Sequence, residues 1–408
     1  MSGLSRNLII LGAGATAAVA AEGHTFPTAN DFFDACNTDW TSGKSLYPHL
    51  SSAYNMVRAL KADNKVTLTD VWLFLDTLNK YHSAIRGDEY NYRLLRMRYE
   101  QHRKDITDFP HYLTPGFLNK HYQLLTREMC PLFSTASKSM YYMYPPHDPV
   151  NYFLILAGWE LKLLLFRTYS AAKPTNGLYA KLLAGLRDKR LHFTVLNFNY
   201  DVYFEKACHT ENQEIKIWDN LGQVPKGSIA LCKPHGGWNV QHVTLPQKDG
   251  DSAQPLAEAH ETIRDSDFDR TGEREERPAM IPYFSGPDEI KEEHERLAPK
   301  VGRYFMDQQN VMKKMLREAK NIVSIGYSFS RGDLHVRTAI EELANQNRHQ
   351  SRRVFCVLKG EDKDPEYAET KKSIFGLWER SGCGPEFYDE EFKTESIGRI
   401  GQFLADCR

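Results

Sequence analysis

Apolar and polar positions follow three rhythms in succession along this chain. Residues 8–11 form an uninterrupted run of leucine and isoleucine closed by Gly12, the pattern of a strand buried on both faces of a parallel sheet. The alanine-rich stretch 15–21 behind it predicts a helix. From about Ala53 to Arg190 the spacing turns helical. Val71, Trp72, Leu75 and Leu78, and later Leu154, Ile155, Trp159, Leu161, Leu164 and Leu165, recur at helical intervals between proline-bearing loops. The aromatic run 141–144 in this region is expected to be core or subunit interface rather than a cofactor contact. The β rhythm returns at 191–198, runs into Asn199-Tyr200-Asp201, and gives way to a helix through Cys208.

Further along, 215–218 and 228–232 are short strand candidates, 311–320 reads as an amphipathic helix, 321–326 as a buried strand, 333–346 as a helix and 353–358 as a last strand. Residues 247–278, rich in charge, proline and glycine, are expected to form a mobile, solvated surface loop. No repeat of fixed period is visible. The pattern predicts an α/β protein, a Rossmann-like, mainly parallel sheet with a large, mainly helical insertion. Residues 1–50 and 191–408 supply the sheet domain and 51–190 the insertion.

Composition narrows the function classes. A length of 408 residues, 41% hydrophobic content and a formal net charge of −1 describe an ordinary globular protein that does not hold a polyanion by bulk charge. Nucleic-acid processing finds no clustered basic stripe here, so nucleic acid is expected only as an indirect trigger. The seven cysteines are scattered and form no C-x-x-C pair, which argues against a disulfide framework and a thiolate zinc ribbon and favours a reducing, cytoplasmic setting. The apolar stretch 8–21 superficially resembles a signal peptide, but Gly12 and Gly14 interrupt it and only Arg6 precedes it. No segment has the apolar length of a membrane span.

Four motifs carry candidate chemistry. Gly12-Ala13-Gly14-Ala15-Thr16, between first strand and first helix, permits a tight turn whose N–H groups and helix dipole suit a pyrophosphate, with Thr16 as an extra donor. The same string also fits plain close packing of helix on strand. An ordinary dinucleotide dehydrogenase needs a second strand carrying an acid about 20 residues later. Asp31 and Asp34 lie near that distance, but no apolar run precedes them. Asn199 and Asp201, after a strand, can face one ligand pocket, or serve as turn former and helix cap. His235, between Pro234 and Gly236-Gly237, can act as a general base or sit in a simple turn. Gly326-Tyr327-Ser328 followed by Asp333 offers small residues and donors to an adenosine or ribose.

In this order the motifs resemble the sirtuin-like family, specifically its bacterial antiphage-defence branch of NAD hydrolases. Gly12 to Thr16 looks like the family's glycine loop, and Gly23 with Phe26 and Pro27 looks like its Gly-x-Pro segment. Asn199 and Asp201 match its Asn-x-Asp, His235 its catalytic histidine, and Gly326-Tyr327-Ser328 its late glycine-serine motif. The resemblance implies an NAD nucleosidase releasing nicotinamide and ADP-ribose, with NAD as substrate and no metal. It implies Asn199, Asp201 and His235 as catalytic residues. NAD contacts would come from Gly12, Ala13, Gly14, Thr16, Pro27, Asn199, Asp201, Gly326, Ser328 and Asp333. It further implies a cytoplasmic homo-oligomer that depletes NAD when triggered during abortive infection, with a HerA-type ATPase or an argonaute as partner. Deacetylases of the family carry a four-cysteine ribbon that this sequence does not offer. NAD-dependent lysine deacylation and a non-catalytic nucleotide sensor are the alternative readings.

Overall fold

The computed structural model describes residues 5–19, 26–27, 31–36, 40, 45–61, 65–85, parts of 150–168, 177–217, 224, 227–244, 255–259, 277–280, 299–329, 333–346 and 352–406. The chain divides into two compact units, Met1–Phe26 with Ala172–Ile281 and Ser285–Arg408, and Pro27–Ala171 with Pro282–Phe284.

The first unit is built on seven parallel strands: β1 (Asn7–Leu11), β2 (Thr194–Asn197), β3 (Ile215–Ile217), β4 (Ile229–Cys232), β8 (Asn321–Ile325), β9 (Arg353–Val357) and β10 (Pro385–Tyr388). Their order across the sheet is β10-β9-β8-β1-β2-β4-β3, so the chain leaves β1 toward one edge and later returns to β8 on its other side. That reversal makes the carboxyl ends of β1, β2 and β8 a topological switch point, where open α/β sheets bind ligands. Leu8, Ile9, Ile10 and Leu11 are fully buried because helices cover both faces of β1. Leu8 and Ile10 join the core formed with Val311, Met312, Met315 and Leu316 of the helix Pro299–Glu318. Val336, Ala339, Ile340 and Leu343 of Leu334–Gln346 enter the same core at i, i+3, i+4 and i+7 spacing, the stripe that fixes a helix against a sheet. A second helical group, Leu178–Asp188, Tyr203–Thr210 and Thr394–Ala405, packs together, and the last of these lies against β8 and β9. The fold is thus Rossmann-like, as the sequence pattern predicts.

The pattern of the sequence misses three things. Residues 255–259, inside the expected loop, and 277–280, at its end, are strands β6 (Pro255–Ala259) and β7 (Arg277–Met280). They flank β5 (Gly236–Thr244) in a separate antiparallel sheet of order β6-β5-β7. The segment 353–358 is not the last strand, because β10 pairs beyond it. The helices Pro365–Arg380 and Thr394–Ala405 also went unread.

The second unit is helical where described, with Pro48–Leu60 and Leu68–Ile85 as its longest elements. Thr67 and Asp70 close a reciprocal capping box at the start of the latter: the Thr67 N–H donates to the Asp70 carboxylate at 2.9 Å and the Asp70 N–H to the Thr67 hydroxyl at 3.1 Å. The buried Glu160 carboxylate contacts His49 Nδ1 at 2.7 Å and accepts from the Leu50 N–H at 2.8 Å. The aromatic run 141–144 lies outside the described residues. Among the described residues no helix is long and apolar enough to cross a membrane.

Candidate functional site

Four segments leave the sheet at its carboxyl edge within the first unit: residues 12–16 after β1, 198–201 after β2, 233–235 after β4 and 326–329 after β8. The glycine turn and the β8 turn close on each other backbone to backbone. Gly12 N–H donates to the Ile325 carbonyl at 3.0 Å and Gly14 N–H to the Gly326 carbonyl at 2.9 Å. A Cβ on Gly12 would lie 2.5 Å from Tyr327 Cα, and one on Gly326, whose φ is +60°, 2.2 Å from the Ala15 nitrogen. Glycine is therefore required at both positions for this approach. In this state the Gly12 and Gly14 N–H groups are engaged by β8, while Ala13 and Gly14 stay partly exposed at the short helix Ala13–Ala18.

The β2 turn is fastened to that loop through its side chains. Asn199 Nδ2 donates to the Gly12 carbonyl at 3.1 Å, and the Thr16 hydroxyl donates to Asp201 Oδ2 at 2.6 Å. The other Asp201 oxygen accepts from the Tyr203 N–H at 3.0 Å, so Asp201 also holds the start of the helix Tyr203–Thr210. Beneath it Lys233 Nζ, fully buried, donates to the Asp201 carbonyl at 2.7 Å and pairs with Glu205 at 2.8 Å. Burial raises the Asp201 carboxyl above its usual range, opposed first by the Thr16 hydrogen bond and then by the Lys233 charge.

His235, Asp333 and His335 meet at the same edge, all with 0% exposure. His235 Nε2 lies 3.0 Å from His335 Nε2 and 3.6 Å from Asp333 Oδ1. The Tyr327 hydroxyl donates to Asp333 Oδ2 at 2.6 Å, and Tyr327 stacks on Phe198 with ring centroids 4.3 Å apart. Burial, then the neighbouring His335, hold His235 well below the ordinary imidazole range, so its neutral form dominates at neutral pH. Burial pushes Asp333 up to about 7, against the Tyr327 hydrogen bond and the Arg337 charge. These three residues have ligand atoms within 4.8 Å of one another and are the one group with metal-ligating chemistry among the described residues. None of the described cysteines takes part in such a group.

The sequence-predicted residues Gly12, Ala13, Gly14, Thr16, Asn199, Asp201, His235, Gly326 and Asp333 thus lie along one edge, with Ser328 exposed beside them. Phe26 is buried with its ring 4.8 Å from that of Tyr203, and Pro27, the next residue, is the first of the second unit. Sequence reasoning missed His335, Lys233 and Glu205. For His335 a signal existed in the Asp-x-His spacing where a helix starts after a glycine-serine turn.

A parallel sheet with polar side chains gathered at its switch point is the arrangement of nucleotide-site α/β proteins. Residues 194–382 match the SIR2-like domain family, a segment that holds Asn199, Asp201, His235, Gly326 and Asp333 but not the glycine turn of β1. No curated protein matches the chain. Among solved structures, one described as the crystal structure of a Sir2 homologue–NAD complex is 12% identical, covering 66% of this chain and 76% of that one with a TM-score of 0.29.

Proposed function

We propose that the protein binds NAD at this carboxyl edge and hydrolyses its bond to nicotinamide. The observation that carries the reading is the convergence of the glycine turn, Asn199, Asp201 and His235 at the switch point of one sheet. The SIR2-like match over 194–382 supports NAD as the nucleotide. The nicotinamide of NAD is already a cationic pyridinium and leaves neutral, so its departure needs no general acid and no second opposed carboxylate. The site must hold the carboxamide, suit a ribosyl cation and position one water or ribose hydroxyl. In this reading Asp201 accepts from the carboxamide through lone pairs left by Thr16 and Tyr203, Asn199 orients ribose or water, and neutral His235 takes the proton. Because His235 is fully buried, with the Phe198 ring 5.0 Å away, groups around it must move to admit substrate.

Triggered NAD depletion in antiphage defence, by a homo-oligomer or with a HerA-type ATPase or argonaute, is the setting proposed for this activity. A lysine deacylase would consume NAD only with an acylated peptide present, and a nucleotide sensor would bind NAD without releasing nicotinamide. Purified full-length protein is incubated with NAD, alone and with candidate partners, and nicotinamide is followed by chromatography. Asn199→Ala and His235→Ala are each expected to lower turnover by ~10²-fold or more. Wild-type turnover in both variants rejects the assignment.

A further inference from the structure

The helix Leu334–Gln346 brings to the site a group that the proposed chemistry does not use. His335 lies 100 residues after His235 in sequence, and the two rings meet edge on at 64° with centroids 5.0 Å apart. Two imidazole nitrogens 3.0 Å apart attract only when one proton lies between them. Two N–H groups would collide, and two lone pairs would repel. Whichever ring carries that proton, the other must present its lone pair, so the proton inventory of His235 cannot change independently of His335.

We propose that His335 is a positioning residue for His235, fixing its ring orientation and the nitrogen that bears its proton, with the Asp333 carboxyl beside the pair. This rests on the reading of His235 as the base of an NAD-cleaving site. The logic is that of a catalytic base oriented by a third group. Among the described residues, His335, Asp333, Tyr200, whose ring centroid lies 6.3 Å away, and Tyr327, whose hydroxyl is tied to Asp333, lie around His235, and its ring also hydrogen-bonds the Phe198 backbone. Arg337 acts on the pair through Asp333 and is itself fastened to the Phe329 carbonyl at 3.0 Å. The like charge that His335 can carry helps keep His235 neutral, so its removal allows His235 to protonate at higher pH.

The test uses full-length protein with isotope-labelled histidine rings and two readouts: ring resonances across pH, and the pH profile of NAD turnover. In the wild type the resonances of His235 and His335 should titrate together. In His335→Gln, which can make one hydrogen bond but cannot titrate, the His235 midpoint and the acid limb of kcat should both move to higher pH. His335→Phe, which fills the space without a hydrogen bond, should lose ~10²-fold in kcat with little change in KM, and the glutamine should recover part of it. Independent titration of the two rings in the wild type overturns the proposal, as does an unmoved acid limb in His335→Gln. A stoichiometric shift of both rings on adding Zn²⁺, with activity following the metal, also overturns it in favour of a metal site. If the wild type releases no nicotinamide under any condition, the NAD-cleaving reading fails, and the ring titrations alone still decide whether the pair shares its proton.

Discussion

Substituting Gly326 by alanine tests the closure on which the whole site depends. The new Cβ would stand 2.2 Å from the Ala15 nitrogen, 2.4 Å from the Gly14 carbonyl carbon and 2.6 Å from Gly14 Cα, all backbone atoms unable to rotate away. The β8 turn and the glycine turn must therefore separate by roughly 1 Å or more to restore van der Waals contact. The left-handed backbone at φ +60° adds about 1 kcal/mol for a residue with a Cβ. Forced backbone movement adds about 1–3 kcal/mol. Weakening the Gly14–Gly326 and Gly12–Ile325 hydrogen bonds adds about 1 kcal/mol more. Together Gly326→Ala should destabilise the protein by about 3–5 kcal/mol, a large part of the stability of an ordinary domain. Gly398→Ala is the matched control. It lies within the helix Thr394–Ala405 with nothing within 4 Å of its added Cβ, and should stabilise by about 0.5–1 kcal/mol. Urea unfolding followed by circular dichroism reads both. If Gly326→Ala unfolds within about 0.5 kcal/mol of wild type, the reasoning about the interlocked turns is wrong.

Other substitutions probe the polar layer beneath the site. Lys233→Met leaves Glu205 buried without its cation and should cost about 3–5 kcal/mol in urea unfolding, with much of the loss recovered when Glu205→Met is added. A Lys233→Met protein as stable as wild type would mean that the pair is not buried in solution. Asp333 has a folded pKa raised to about 7 from 3.8, so the folded state binds the extra proton between those values. Its contribution to stability is favourable at acidic pH and is lost as pH rises through about 7. Asp333→Asn, which does not titrate, should therefore gain on wild type between pH 5 and pH 8, read as the difference in Tm at each pH. A constant difference would show that Asp333 is ionised throughout.

The strands that form the middle of the sheet were legible because burial on both faces demands consecutive apolar residues, as in β1 and β8. Their turns were legible because glycine, asparagine and aspartate gather at the ends of these strands, where open α/β sheets bind ligands. β10, four residues opening with Pro385 and carrying an exposed Glu386, is an edge strand too short and too polar to show alternation. β7, with Arg277 and Pro278, reads as loop, and its pairing with β5 at Gly236 and Gly237 is set by partners some 40 residues away that no local pattern reveals. The contact between His235 and His335 is likewise a product of folding, since only the sheet order brings the ends of β4 and β8 to the same edge. The glycine turn shows its packing role directly: its glycines are needed for the approach to the β8 turn, and that approach sets the turn beside Asn199 and Asp201.

The central claim is that one dinucleotide lies across the ends of β1, β2, β4 and β8. A crystal structure of the Asn199→Ala protein soaked in NAD tests it most directly. The pyrophosphate should lie beside residues 12–16 and the nicotinamide ribose between position 199 and His235. NAD lodged elsewhere on the chain, or the edge left unfilled at a concentration that saturates binding in solution, would contradict it.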